Sequence, residues 1–280
     1  EKTKAIWIES IANPAGTFTD IEAIAKIAHA NNIPLIVDNT LATPYLIRPF
    51  EWGADVITHS GTKFLNGHGN SIAGLVVDSG NFNFGNGRYP LITDPNPSYH
   101  GLKFWETFGP KLALAVVLRA LALRDLGPTL APFNSFLTLT GIETLPLRVQ
   151  RHSDNALIVA KWLKTNPHVS WVNYAGLPDN PSYPLQQKYA PKGAGSVFTF
   201  GVKGGFDAGK KLVDNVTLFS HLANIGDTRS LIIHPASTTH SQLSGIELEK
   251  AGAAPDVVRL SVGIEDPADL IRDLEQGLAA

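Results

Sequence analysis

The sequence predicts an α/β fold on two observations. Continuous apolar segments alternate with segments of helical period through the first half, and polar, chemistry-bearing residues stand where the apolar segments stop. Unbroken apolar runs suit strands covered on both faces, and helices returning between them argue a parallel sheet. The first strand is expected over 5–8 and ends at Asn13-Pro14-Ala15-Gly16. Thr19-Asp20 then offers a cap to a helix whose apolar face is Ile21, Ile24, Ala25 and Ala28. A second strand over 33–37 closes at Asp38, a third over 54–58 closes at His59-Ser60, and a fourth is expected over 71–77.

Residues 80–110 form a Gly/Pro/Asn/aromatic stretch with little periodicity. A connection of that length is either functional or disordered, and its aromatics predict order. Helix is predicted from about Pro110, with a break at Gly127-Pro128. Ala156, Val159, Ala160 and Leu163 recur at helical spacing until Asn166-Pro167 stops them. Strands over 169–174, 196–202 and 257–262 interleave with helices over 207–216 and 267–278, a pattern that suits a smaller α+β domain. The expected division is therefore 1–144 and 145–280.

Composition narrows the function. A formal net charge of −2 offers no electrostatic argument for a nucleic-acid or anionic-membrane partner. The longest apolar run, 112–123, is interrupted by Arg119 and is too short to span a bilayer. No basic-then-apolar N-terminal signal is visible, so the expectation is a cytoplasmic protein. The absence of cysteine excludes disulfides, thiolate catalysis and cysteine-bound metals. Methionine is absent too, and the chain opens at Glu1 inside an expected strand, which predicts a processed or incomplete chain.

In open α/β sheets, ligands bind beyond the carboxyl ends of the strands. One strand ends in Val37-Asp38-Asn39-Thr40, and Lys63 follows Asp38 by 25 residues in Ser60-Gly61-Thr62-Lys63, an interval that fits one strand–helix–strand step. An acid and a lysine thus face one crevice. A lysine that attacks a carbonyl must be neutral part of the time, which desolvation and nearby positive charge bring about. A neighbouring acid makes chemical sense if it holds another cation, such as a protonated pyridine nitrogen. Pyridoxal 5'-phosphate requires this pair, and Ser60 and Thr62 offer hydroxyls to its phosphate. Taken singly, Lys63 has the ordinary reading of a solvated lysine and Asp38 that of a turn former. A phosphate-loop reading fails because Phe64 follows Lys63 and the glycines upstream are misplaced.

Three blocks in order, Glu9-Ser10-Ile11-Ala12-Asn13-Pro14, Val37-Asp38-Asn39-Thr40 and His59-Ser60-Gly61-Thr62-Lys63-Phe64-Leu65-Asn66-Gly67-His68, resemble the Cys/Met-metabolism family of pyridoxal-phosphate enzymes. Asn224-Ile225-Gly226-Asp227, His234-Pro235-Ala236-Ser237-Thr238-Thr239-His240 and Val258-Arg259-Leu260-Ser261-Val262-Gly263 continue the likeness, which covers essentially the whole chain. The segment Asp94-Pro95-Asn96-Pro97-Ser98-Tyr99-His100-Gly101-Leu102 looks like an insertion of the family's O-acetylhomoserine sulfhydrylase branch. Gly141-Ile142-Glu143-Thr144-Leu145 with Arg148 and Arg151-His152 points the same way.

The resemblance implies a fold-type-I, aspartate-aminotransferase-like architecture with a mostly parallel sheet and a small C-terminal α+β domain. It implies Lys63 as the Schiff-base lysine and proton shuttle, Asp38 on the ring nitrogen and Asn13 on the phenolic oxygen. Ser60 and Thr62 fall to the phosphate, and Arg259, helped by Asn224, to the substrate carboxylate, for which a guanidinium is well shaped. The implied reaction takes O-acetyl-L-homoserine and sulfide to L-homocysteine and acetate, in a homotetramer built as a dimer of dimers. Family members carry more chain ahead of Glu1, with further phosphate-binding, ring-stacking and subunit-bridging residues, so full activity is expected to need that segment. Other chemistries of the family, a γ-lyase or cystathionine synthase, and a catalytically incomplete assembly chain are the rival readings.

Several residues stay open at this level. Glu9 matches the motif without an assignable task, and Tyr99 and His100 either line the sulfide entrance or order the long loop. His59 and His68, or His234 and His240, invite a metal reading, but they lack flanking carboxylates in a ligand pattern and read better as turn or supporting residues. Asn215-Val216-Thr217 matches a glycosylation triplet that is uninformative in a cytosolic chain.

Overall fold

The computed structural model describes residues 2–280, so the expectation placed on Glu1 lies outside the described residues. Two sheets organise the chain. The first has the order β1 (Ile6–Glu9), β2 (Leu35–Asp38), β3 (Val56–Ser60), β4 (Gly74–Asp78). β1, β2 and β3 run parallel, with Glu9 opposite Asp38 and Asp38 opposite Thr58, so their carboxyl ends share one edge.

The helix Ile21–Ala30 makes the crossover from β1 to β2. Asp20 caps it by accepting from the Ala23 amide at 3.2 Å, and Ile21, Ala25 and Ala28 form its buried face. β4 departs from the expected parallel order: it runs antiparallel to β3. A parallel return needs a crossover, usually a helix, and residues 61–73 are turns and irregular chain. The sheet is also covered less evenly than its apolar strands predict, for Trp7 and Val76 stand exposed on its outer face.

The 80–110 stretch is ordered, as its aromatics predict. Short helical turns at Pro90–Thr93, Pro97–Tyr99 and Phe104–Phe108 surround a cluster in which Phe82 meets Phe84 edge-on at 4.8 Å and Tyr99 meets Phe104 at 5.5 Å. Helix runs on from Ala113 to Leu126 with a π-turn at Leu118–Leu123, and no helix among the described residues is long and apolar enough to cross a membrane.

Pro132–Glu143 and the long helix Leu145–Thr165 lead to the second sheet, of order β5 (Val169–Asn173), β6 (Val197–Val202), β9 (Val257–Ser261), β8 (Leu231–Ile233), β7 (Ser220–His221). It is antiparallel apart from the β7–β8 pair. β7 and β8 are too short to leave a periodic signal and escape sequence reading. Pro267–Ala279 starts where Asp266 accepts from the Ala268 amide at 2.8 Å. A single apolar cluster runs from Ile11 and Phe18 through Leu35, Phe64 and Val159 to Phe198, Leu260 and Leu274, so both sheets share one core.

Candidate active site

The candidate residues converge where the segments following β1 and β3 meet β9 and the segment before β8. Lys63 follows β3 in a turn whose Lys63 amide donates to the Ser60 carbonyl at 3.1 Å. The Lys63 Nζ donates to Asn224 Oδ1, and Asn224 also offers its backbone carbonyl to Arg259 Nη2 at 3.1 Å. Arg259 Nη1 reaches Asn13 Oδ1 at 3.1 Å. Lys63, Asn224, Arg259 and Asn13 thus form one continuous hydrogen-bonded string, drawn from both sheets.

The charges in this string are unusual. Burial, with the Arg259 cation as a second cause, pushes the Lys63 amine below its ordinary value. Arg259 is itself lowered to about 10 by burial. No carboxylate among the described residues pairs with either cation. A half-buried guanidinium held only by neutral oxygens leaves a place for an anionic ligand.

Asp38 closes β2, and its Oδ1 accepts from the Thr40 amide at 2.9 Å, which fixes the carboxylate while its other oxygen has no protein partner among the described residues. The Thr40 hydroxyl in turn accepts from the Ser60 amide at 2.8 Å, tying the ends of β2 and β3 together. The Ser60 hydroxyl bonds nothing among the described residues and so is free for a ligand. Thr62 differs: its hydroxyl donates to the Ala73 carbonyl at 3.2 Å and accepts from the Ala73 amide at 3.0 Å. In this arrangement the Thr62 proton is directed to the backbone, where it pins the β3–β4 connection, so a direct phosphate contact requires that bond to open.

Glu9 acquires a task that its sequence position did not disclose. Its Oε2 accepts from the Asn13 amide at 2.9 Å, holding the loop that presents Asn13 to Arg259. The Asn13-Pro14 peptide is cis. Ser261 was missed: its hydroxyl accepts from the Gly226 amide at 3.0 Å and so steadies the Asn224 segment, and only three-dimensional proximity reveals it. Asn224 meets Arg259 through its backbone carbonyl and gives its side-chain oxygen to Lys63, whereas the resemblance implied help to Arg259 from the side-chain amide.

The remaining open residues find partners elsewhere. Tyr99 donates to the Ala120 carbonyl at 3.0 Å and accepts from Arg124 at 2.9 Å, so it orders the long loop, and His100 follows in left-handed geometry with φ 55°. Buried His59 lies below its ordinary imidazole value because of burial, partly opposed by the Asp38 charge. His234 bonds Ser237 Oγ and the Pro255 carbonyl, and His68 Nδ1 donates to the Asn66 carbonyl.

A family model described as "Cys/Met metabolism PLP-dependent enzyme" matches residues 1–279. The O-acetyl-L-homoserine sulfhydrylase 1 of Thermus thermophilus is 52% identical over 280 residues, covering 100% of this chain and 66% of that protein. The O-acetyl-L-homoserine sulfhydrylase of Leptospira meyeri is 49% identical over 286 residues, covering 99% of this chain and 65% of that protein. A crystal structure of a putative O-acetylhomoserine (thiol)-lyase from Campylobacter jejuni, which carries an N'-pyridoxyl-lysine-5'-monophosphate, is 43% identical. It superposes with a TM-score of 0.94 and covers 99% of this chain and 66% of that one. The chain spans about two thirds of the length of these relatives. This chain belongs to the Cys/Met-metabolism family of pyridoxal-phosphate-dependent enzymes.

Proposed function

We propose that the chain carries the lysine-bearing part of an O-acetyl-L-homoserine sulfhydrylase, which makes L-homocysteine and acetate from O-acetyl-L-homoserine and sulfide for methionine biosynthesis. The observation that carries this reading is the string Asn13–Arg259–Asn224–Lys63, with the Asp38 carboxylate at the carboxyl end of β2, the strand between those that lead to Asn13 and Lys63. Its donor set fits pyridoxal 5'-phosphate: an amine of lowered basicity, a fixed carboxylate with a free oxygen, and the free hydroxyl of Ser60. When bound, that cofactor supplies an electron sink for negative charge developing on the substrate.

Lys63 Nζ is held by Asn224, and its lowered basicity would let it take a proton from Cα and then one from Cβ, and return one to each carbon after sulfide has added. Arg259 receives the substrate carboxylate through two parallel N–H bonds, and Asn13 and the Asn224 carbonyl hold its plane. Glu9 secures Asn13 by its backbone amide. With the cofactor bound, Asp38 would keep the ring nitrogen protonated, Asn13 would face the phenolic oxygen, and Ser60, with Thr62 once its Ala73 bond opens, would hold the phosphate. Acetate leaves from Cγ, where sulfide adds.

Borohydride reduction of the holoenzyme followed by peptide mass mapping tests the site: the pyridoxyl label is expected on Lys63 and is expected to vanish in Lys63→Ala. A label on another lysine, or none, overturns it. Sulfide and cysteine as competing acceptors test the substrate; preferred formation of cystathionine moves the protein to a synthase. The 31%-identical cystathionine γ-lyase structure from Micromonospora echinospora, with a TM-score of 0.82, is a weaker match than the sulfhydrylases. We further propose a division of the chain into two parts, 1–144 and 145–280, packed on one shared core, a homotetramer arranged as a dimer of dimers, and a cytoplasmic location. Sedimentation equilibrium of the holoenzyme is expected to return four chains.

A further inference from the structure

We propose that Arg148 is a positioning residue for Lys63: its guanidinium fixes the turn that presents the lysine by bonding the carbonyls that follow it. This rests on reading Lys63 as the cofactor-bearing lysine. Residues 61–66 form turns, not regular helix, so their carbonyls must find donors individually. The Phe64 and Leu65 carbonyls receive no backbone amide among the described residues. Arg148 supplies both, through Nη1 to Phe64 at 2.9 Å and Nη2 to Leu65 at 3.3 Å. Nη2 also reaches the Gly141 carbonyl at 2.6 Å, and Nε reaches Thr144 Oγ1 at 3.1 Å.

Nothing in this arrangement is an ion pair. Arg148 is buried, burial lowers its basicity, and each of its acceptors is neutral. A charged group held in the interior by neutral oxygens alone has been kept there for geometry, since a neutral side chain would avoid the cost of desolvation. The backbone around it has been cut to fit. A Cβ on Gly67, whose φ is +76°, would stand 2.1 Å from Arg148 Nη1, and a Cβ on Gly141 would stand 2.1 Å from the Asn66 carbonyl. Gly67 thus opens the space the guanidinium fills, and Gly141 lets its helix close on the same turn. Planarity matters as well: one fork serves three carbonyls, which a single ammonium at the end of a flexible stem cannot do.

The test compares Arg148→Lys and Gly67→Ala with the wild-type holoenzyme. The second variant keeps the arginine and displaces it, so it carries the test if the first fails to fold. Pyridoxal 5'-phosphate is expected to bind at least about tenfold more weakly in both, the scale of leaving buried carbonyls unpaired. The visible circular-dichroism band of the Lys63-bound chromophore is expected to collapse while the far-ultraviolet spectrum stays, and kcat is expected to fall more than KM for O-acetylhomoserine rises. Folded variants with wild-type affinity and an unchanged visible band overturn the role of Arg148. Failure of the wild type to take a borohydride-fixed label on Lys63 overturns the reading of the site itself.

Discussion

In the second sheet every residue of β6 and β8 is buried, and Arg259 is the one residue of β9 that keeps some exposure. In the first sheet β4 shows four consecutive exposed residues, and Trp7 on β1 is 64% exposed. The site draws on both, and from different places. Arg259 stands in mid-strand, flanked by Thr199 on β6 and Ile233 on β8, whereas Lys63 stands in a turn beyond β3. In the roles proposed for them, a guanidinium meeting a carboxylate in one plane gains from a rigid strand, and an amine serving two carbon atoms gains from a turn, provided the turn is itself tied down.

The largest expected contrast is in stability. Phe198 on β6 is fully buried and packs on Tyr174 with ring centroids 5.0 Å apart. Phe198→Ala is expected to cost about 3–5 kcal/mol, the range for removing a core aromatic, as measured by urea denaturation. A cost below about 1 kcal/mol would deny that the second sheet is the closely packed one.

Next comes a pH effect at the seam between the sheets. His152 is buried against Phe64, with Nδ1 donating to the Val262 carbonyl at 2.7 Å and Nε2 unpartnered among the described residues. Burial lowers it from 6.5 to about 4. The fold therefore accepts the neutral ring and resists the charged one. Its contribution is complete above pH 6.5, is lost as pH falls from 6.5 towards 4, and levels off below. The loss is on the order of 3 kcal/mol. Denaturation across that window is expected to flatten in His152→Gln; an unchanged slope would mean that another group titrates there.

A smaller change is expected at Arg259, in binding. Arg259→Lys keeps the charge and loses the two-pronged contact, so KM for O-acetylhomoserine is expected to rise about 10- to 100-fold with a lesser fall in kcat. Equal falls in kcat and kcat/KM would give Arg259 a role in the reacting atoms instead.

How much of this was legible followed from the range of each interaction. Strands over 33–37 and 54–58 and the helix after Asp20 are set by neighbours a few residues apart, and periodicity reveals them. The reversal of β4 depends on what the 61–73 connection lacks, which an apolar run cannot show. Asp38 is visible because it ends a readable strand, and Lys63 because it follows one by a few residues. The bond from Arg259 to Asn13 spans 246 positions, and Thr62's engagement with Ala73 leaves no trace in a motif that reads equally well for a phosphate. Residue identity marked the chemistry, and only the fold assigned which oxygen each proton meets.

The smallest effect probes the open face directly. Trp7 borders a hollow of about 200 Å³ lined by Ile36, Val56, Val76 and Leu114, all apolar. A tryptophan left 64% in solvent removes little of its surface from water on folding, so its truncation forfeits little. Trp7→Ser is expected to change stability by less than about 0.5 kcal/mol, as for surface positions in general. The same measurement on Val76→Ser, on the neighbouring edge strand, is expected to match it. A loss above about 1 kcal/mol at either position would mean that this face is buried in the working protein, and the contrast between an open sheet and a closed one would then belong to the isolated chain alone.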